Sequence, residues 1–73
     1  MSLPEHVATR LRVEMARLDV TIGELARRLD EQPVWVARRM RGRVPITLVD
    51  LDRIARALDV PPVDFVTTVE RVA

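Results

Sequence analysis

Residues 21–60 read TIGELARRLDEQPVWVARRMRGRVPITLVDLDRIARALDV, and the first half of that stretch decides the fold. Ile22, Leu25, Ala26 and Leu29 recur at three- and four-residue spacing, which is one face of a helix of about eight residues. Thr21 followed three residues later by Glu24 carries the capping-box signature of a helix start. Gly23 would weaken an isolated helix by ~1 kcal/mol, and in a packed one it leaves room for close contact with a neighbour or a DNA strand. Asp30-Glu31-Gln32 then breaks the pattern, and Pro33 stands where a first helical turn accepts proline. Residues 33–41, PVWVARRMR, make a second short helix, with Gly42 as its natural terminator. The stretch therefore predicts two short helices, 21–29 and 33–41, joined by a three-residue turn.

The flanks are helical too. After a loop at Arg43-Val44-Pro45-Ile46, Thr47 caps a further helix over about Leu48 to Leu58, with Leu48, Leu51, Ile54, Ala55 and Leu58 in a three-four-three pattern. Asp59-Val60-Pro61-Pro62 ends it. Upstream, Pro4 suits a helix start, and Val7, Leu11, Met15 and Leu18 form one apolar stripe up to a turn at Asp19-Val20. The tail VDFVTTVERVA is read as a last helix with Val63, Val66 and Val69 on one face, joined by Phe65 or Val72. A segment that short is marginal alone, so it is expected to pack on the first and fourth helices or on a second copy of the chain. The fold class expected is all-α: a compact five-helix bundle with a central helix-turn-helix, one domain over residues 1–73.

Composition sets limits on function. Seventy-three residues make one small core, burying roughly 60% of the unfolded surface. Apolar residues at 48% against charged residues at 32% give a globular rather than a disordered balance. With no cysteine and a single histidine, His6, neither a disulfide framework nor the usual metal clusters are available. No apolar run approaches the ~20 residues of a membrane span, and the opening MSLPEH lacks a signal-peptide pattern. The expectation is a cytoplasmic protein with no cofactor, no metal, no membrane contact and no small-molecule substrate. Catalysis finds no support either. There is no tyrosine and no glycine-rich phosphate loop, and the carboxylates read as scattered over helix exteriors.

Every basic residue is arginine. A GC-rich genome accounts for that, and so does a need for the planar guanidinium fork that suits phosphates and guanine edges. The distribution of charge says more than the net +1. Residues 27–43 hold six arginines against Asp30 and Glu31, a local +4, while the chain on either side is net negative. A central positive segment laid over two short helices and a tight turn matches a geometry in which one helix braces on the phosphate backbone. The next then presents its N-terminal side chains to base edges in a DNA major groove.

At this point the chain resembles the Cro/XRE-type, phage-repressor-like helix-turn-helix domains. Leu25-Ala26, the turn, the apolar Val36 in mid recognition helix, Gly42, Pro45 and then L..L..IA.AL.V fall in that family's order. The WV.RR..G.VP.T variant is similar to the form common in actinobacteria and their phages. The resemblance implies a lambda-repressor-like bundle binding a double-stranded DNA operator as a homodimer. In that layout Gln32, Pro33, Val34, Ala37, Arg38 and Arg41 face the groove. Gln32 would pair with adenine, Arg38 with guanine O6 and N7, and Val34 and Ala37 would touch thymine methyls, each good bidentate pair contributing roughly 1–3 kcal/mol of discrimination. Arg27, Arg28, Arg43 and Thr47 would contact phosphate. Val63, Val66 and Val69 are the expected dimer contact, unless the chain is the N-terminal domain of a longer repressor.

Several positions depart from the family pattern. Asp30 stands for the usual turn glycine, a residue that tolerates the left-handed conformation. Glu31 replaces an apolar residue, and a carboxylate beside DNA weakens binding unless it pairs with an arginine or accepts from cytosine. Ile22 cannot make the backbone contact of the glutamine often found there. Arg39 stands where an apolar residue is often buried, and Met40 where glutamate is common. Trp35 has three readings: an anchor for helix packing, a plate against the DNA backbone, or a partner contact. His6 reads as an ordinary surface residue, and Met15 and Met40 as core fillers.

The leading expectation is a sequence-specific transcriptional regulator, a repressor or Cro-like protein of phage, prophage or bacterial origin, working on the nucleoid in the cytoplasm. Two alternatives remain open: an antitoxin or recombination directionality factor using the same module, and a protein-interaction module that does not bind DNA.

Overall fold

A computed structural model describes residues 2–67. It contains five helices: α1 (Leu3–Leu18), α2 (Ile22–Leu29), α3 (Pro33–Met40), α4 (Leu48–Leu58) and α5 (Val63–Val66). The all-helical expectation and the order of the elements hold. α1, α2 and α4 all begin at a β-region residue whose hydroxyl accepts from the third amide of its helix: Ser2 from Glu5, Thr21 from Glu24, Thr47 from Asp50. The capping box expected at Thr21 is only half made. Glu24 does not return to the cap amide but pairs with Arg28 one turn on, at 2.8 Å. The reciprocal boxes form instead at Ser2–Glu5 and Thr47–Asp50.

Four helices end in one way. Asp19, Asp30, Gly42 and Asp59 take left-handed backbone with φ of 58°, 58°, 76° and 57°. The amide of the following residue then donates to a carbonyl five residues back: Val20 to Met15, Glu31 to Ala26, Arg43 to Arg38 and Val60 to Ala55. This is the Schellman closure, which satisfies carbonyls the last turn leaves without partners. Val20 and Val60, the residues just past two of these turns, are buried.

The stripes read from the sequence converge on one core, except that Leu48, placed on the α4 stripe, is 83% exposed at the first position of that helix. Val7, Leu11 and Met15 of α1, Leu25, Ala26 and Leu29 of α2, Val36 of α3, and Leu51, Ile54, Ala55 and Leu58 of α4 are buried together with Phe65. α2 packs on α3 and α4, while α1 runs behind them, touching α3, α4 and α5. Met40, Ile22 and Trp35 pack partly buried against this cluster.

The tail differs from expectation. α5 spans only Val63–Val66, and Thr67 is already extended. Phe65, fully buried, is its anchor; Val66 packs partly on the core and Val63 stays exposed. Val69 and Val72 lie outside the described residues. His6 is more than a surface residue: its Nε2 donates to the Thr67 carbonyl at 2.8 Å, tying the start of α1 to the end of α5. The carboxylates are not all on helix exteriors either. Glu14 is buried between Arg10 and Arg17, each 2.6 Å away on the same helix, and Asp50 is buried at the start of α4.

Candidate nucleic-acid interface

α2 and α3 are joined by Asp30, Glu31 and Gln32, as expected, with Asp30 in the left-handed turn and Gln32 extended as the cap of α3. The Gln32 side chain makes no capping bond and is exposed, so its amide group is open to an outside partner. Pro33 follows at the first helical position, where its missing amide removes no intrahelical bond.

α3 has two faces. Val36 points into the core and is 1% exposed. Val34, Ala37, Arg38 and Arg41 recur at three- and four-residue spacing on the other side. There Val34, Arg38 and Arg41 are exposed and Ala37 is half-buried. The residues assigned to base reading thus share one outward strip that begins at Gln32.

The arginines divide sharply. Outside residues 27–43, every described arginine is engaged: Arg10 and Arg17 with Glu14, Arg12 with Thr9 and the Met40 carbonyl, Arg53 with Glu31, Arg56 with Asp52. Inside that segment, Arg28 and Arg39 are engaged as well. Arg28 bonds Glu24 and reaches the Ala57 carbonyl at 3.0 Å, so it braces α2 on the end of α4. Arg27, Arg38, Arg41 and Arg43 make no side-chain hydrogen bond or ion pair among the described residues, and all four are exposed. The uncommitted positive charge lies on the helix-turn-helix and the loop after it.

That loop is fixed. The amides of both Arg43 and Val44 donate to the Arg38 carbonyl, at 2.8 and 3.4 Å, so the chain past Gly42 folds back on the end of α3. Thr47 follows as the cap of α4. Its hydroxyl oxygen accepts from the Asp50 amide at 3.0 Å, which leaves the O–H hydrogen available to donate to an anion. Its own amide, however, donates to Asp50 Oδ2 at 3.2 Å, so the free amides of this helix start are those of Leu48 and Val49.

Asp50 puts a carboxylate beside a surface expected to attract anions, and Arg39 answers it. Arg39 Nε donates to Asp50 Oδ2 at 3.1 Å, with both side chains about 15% exposed or less. Burial pushes the Asp50 carboxyl up, but the Thr47 amide and the Arg39 guanidinium outweigh it, holding the group below the ordinary carboxylate value. Arg39, standing where an apolar side chain is usual, is therefore buried as half of an ion pair. Glu31 is answered in the same way, by Arg53 at 3.1 Å. Trp35 lies between these pairs, half-buried, with Arg39 3.9 Å and Arg53 5.4 Å from its ring centre. The packing reading of Trp35 is the one its surroundings support. Asp50, Arg53 and the role of Glu31 were missed in the sequence. T-x-x-D at 47–50 was the one local signal that would have found Asp50.

Gly23 has nothing within 4 Å of where a Cβ would stand, so none of the described residues needs the space it leaves. Among the described residues no group of three potential metal-binding side chains comes together, and no helix is long and apolar enough to cross a membrane.

A family model for a helix-turn-helix domain matches residues 6–66, which spans all five helices apart from the first turn of α1. No curated protein and no solved structure matches the chain.

Proposed function

This chain belongs to the helix-turn-helix domain family, and from that premise we propose that it is a sequence-specific regulator of transcription that binds double-stranded DNA with α3 in the major groove. The observation that carries the reading is the partition of the arginines. Arg27, Arg38, Arg41 and Arg43 have no partner among the described residues, whereas the remaining described arginines are tied to carboxylates, carbonyls or a hydroxyl. A face that keeps its cations unpaired only where a helix-turn-helix would meet phosphates is what binding to a polyanion requires.

In this reading Gln32, Val34, Ala37, Arg38 and Arg41 read bases, with Pro33 close to the groove floor, and Arg27, Arg43 and Thr47 hold the backbone. Arg28 acts as a brace that can still lend charge. The regulator is a repressor or Cro-like protein of phage, prophage or bacterial origin, acting on the nucleoid by occupying an operator and excluding polymerase. One copy of α3 reads too few bases to address a genome, so two copies on half-sites one helical turn apart are proposed. Val63, exposed beside the half-buried Val66, offers an apolar contact for the second copy, and Val69 would extend it.

The test is an unbiased selection of duplexes by the purified chain at ~150 mM salt, followed by titration of the selected duplex. A two-fold symmetric motif whose affinity falls steeply with salt is the expected result. Enrichment of a lone half-site would overturn the dimer, and salt-insensitive binding without enrichment would overturn the DNA reading in favour of a protein-interaction module.

A further inference from the structure

α3 buries one side chain completely, Val36. With Met40 and Trp35 only partly buried beside it, that one knob resists sliding better than rotation about the helix axis. α3 lies close along α1 and α2, while it keeps further from α4 and meets it through side chains. Beyond the shared apolar core, the polar links between α3 and α4 meet at the Trp35 ring. Arg39 covers it at 3.9 Å and Arg53, from α4, approaches at 5.4 Å. Arg39 continues to Asp50 in the capping box of α4 and donates back to the Trp35 carbonyl at 3.2 Å. Arg53 continues to Glu31 and to the Leu29 carbonyl, at 3.1 and 2.7 Å, on the turn that precedes α3.

Resting on the DNA-binding reading, we infer that Trp35, clasped by Arg39 and Arg53, is a positioning residue that fixes the roll of α3. In doing so it fixes the register between the base-facing strip on α3 and the phosphate anchors at Arg43 and Thr47. Trp35 touches no DNA in this role. A flat ring on the flank of the helix is a lever against rotation, and a guanidinium held over it and tied at its other donors to Asp50 and the Trp35 carbonyl restrains it in a way a lysine ammonium cannot. The lever matters because reach amplifies small errors. A roll of about 20° moves a side-chain tip ~6 Å from the helix axis by about 2 Å, enough to break a bidentate contact to a base edge. Phosphate contacts, made by long side chains to diffuse charge, tolerate that shift.

The inference is tested with the full chain carrying Trp35→Leu, Trp35→Phe or Arg39→Lys. Each variant is titrated with the selected duplex and with a scrambled duplex at one salt concentration, and helicity and melting temperature are recorded alongside. Trp35→Leu and Arg39→Lys are expected to lower the ratio of the two affinities about tenfold, the loss of one good base contact. Affinity for the scrambled duplex should stay within about twofold, because the phosphate term is untouched. Trp35→Phe, which keeps a ring, should recover most of the discrimination. In Arg39→Lys, which keeps the charge opposite Asp50 and so keeps the fold, the emission of the sole tryptophan should shift as the stacked plane is lost. A wild-type chain that discriminates while Trp35→Leu or Arg39→Lys discriminates equally well overturns the inference alone, as does parallel weakening on both duplexes. A wild-type chain with no preference overturns the DNA reading, and this inference falls with it.

Discussion

Arg38 and Arg43 lie at the two ends of one hydrogen-bonded turn, yet their losses should be felt differently. Arg38 stands on the outward strip of α3 and Arg43 in the loop folded onto the end of that helix. Arg38→Ala is expected to cost roughly 1–3 kcal/mol on the selected duplex and little on a scrambled one. Arg43→Ala should weaken both alike and lower the slope of log affinity against log salt by about one. Titration of both duplexes at three salt concentrations separates the two outcomes, and identical behaviour of the variants would refute the division of roles. Asp50 makes a separate prediction about stability. Its carboxyl titrates below the ordinary value because Thr47 and Arg39 favour the charged form. The stability it contributes is therefore present above the unfolded pKa and disappears as pH falls through the folded one. Asp50→Asn should be less stable than wild type at pH 7 by on the order of 1–3 kcal/mol, and the gap should narrow as pH falls below about 4, the ordinary carboxylate value. A gap that does not narrow at all as the solution is acidified would mean the carboxylate charge is not what matters. At this scale the sequence was only partly legible. The exposed strip from Gln32 to Arg41 follows from spacing within one helix. The arginines that answer Asp50 and Glu31, and the second of the two at Trp35, are 11, 22 and 18 residues away in the chain, and such pairings are set by packing rather than by local pattern.

At the scale of the elements, the recurring feature is the left-handed residue that closes α1, α2 and α4. In each it is an aspartate, whereas α3 uses glycine. Aspartate reaches this conformation with less strain than most residues, but it also sets a negative charge against the negative end of a helix dipole. Replacing Asp19 and Asp59 together by glycine should relieve both effects and raise stability by roughly 1 kcal/mol, an increase of several degrees in melting temperature for a chain of this size. Gly42→Ala should have the opposite sign. Open space surrounds that position, but φ is 76°, and the strain is expected to cost about 1 kcal/mol. Thermal melts of the double variant and the single one decide the matter, and a drop on Asp→Gly would show that the aspartates hold contacts that matter more than the strain. The helices themselves were readable because stripe and cap agree: Val7 to Leu18, Ile22 to Leu29 and Leu48 to Leu58 each carry a clear apolar period and a hydroxyl or proline at the start. The tail was read only in part: Phe65, offered as one of two residues joining the valine face, is the buried anchor, while Val63 is exposed and the chain is extended by Thr67. Glu24 misled because a capping glutamate one turn before an arginine has a competing partner, and Arg28 takes it.

For the whole molecule, stability rests on a core with few reserves. Phe65 is the largest fully buried side chain, and the four-residue α5 that carries it is held to α1. Phe65→Ala should cost about 3–5 kcal/mol, comparable with the entire stability of a domain this small. Urea unfolding at 25 °C is expected to show the variant mostly unfolded without denaturant, and a loss below about 1 kcal/mol would mean that α5 contributes little. The uncommitted arginines have a consequence for control as well as for binding. The chain contains no lysine, so the face formed by Arg27, Arg38, Arg41 and Arg43 offers no amine to an acyl group. Acetylation, which releases many basic surfaces by erasing their charge, has nothing to act on there, and methylation of a guanidinium leaves the charge in place. Of these two modifications neither erases the charge of the face, and methylation could act there only by blocking bidentate hydrogen bonds.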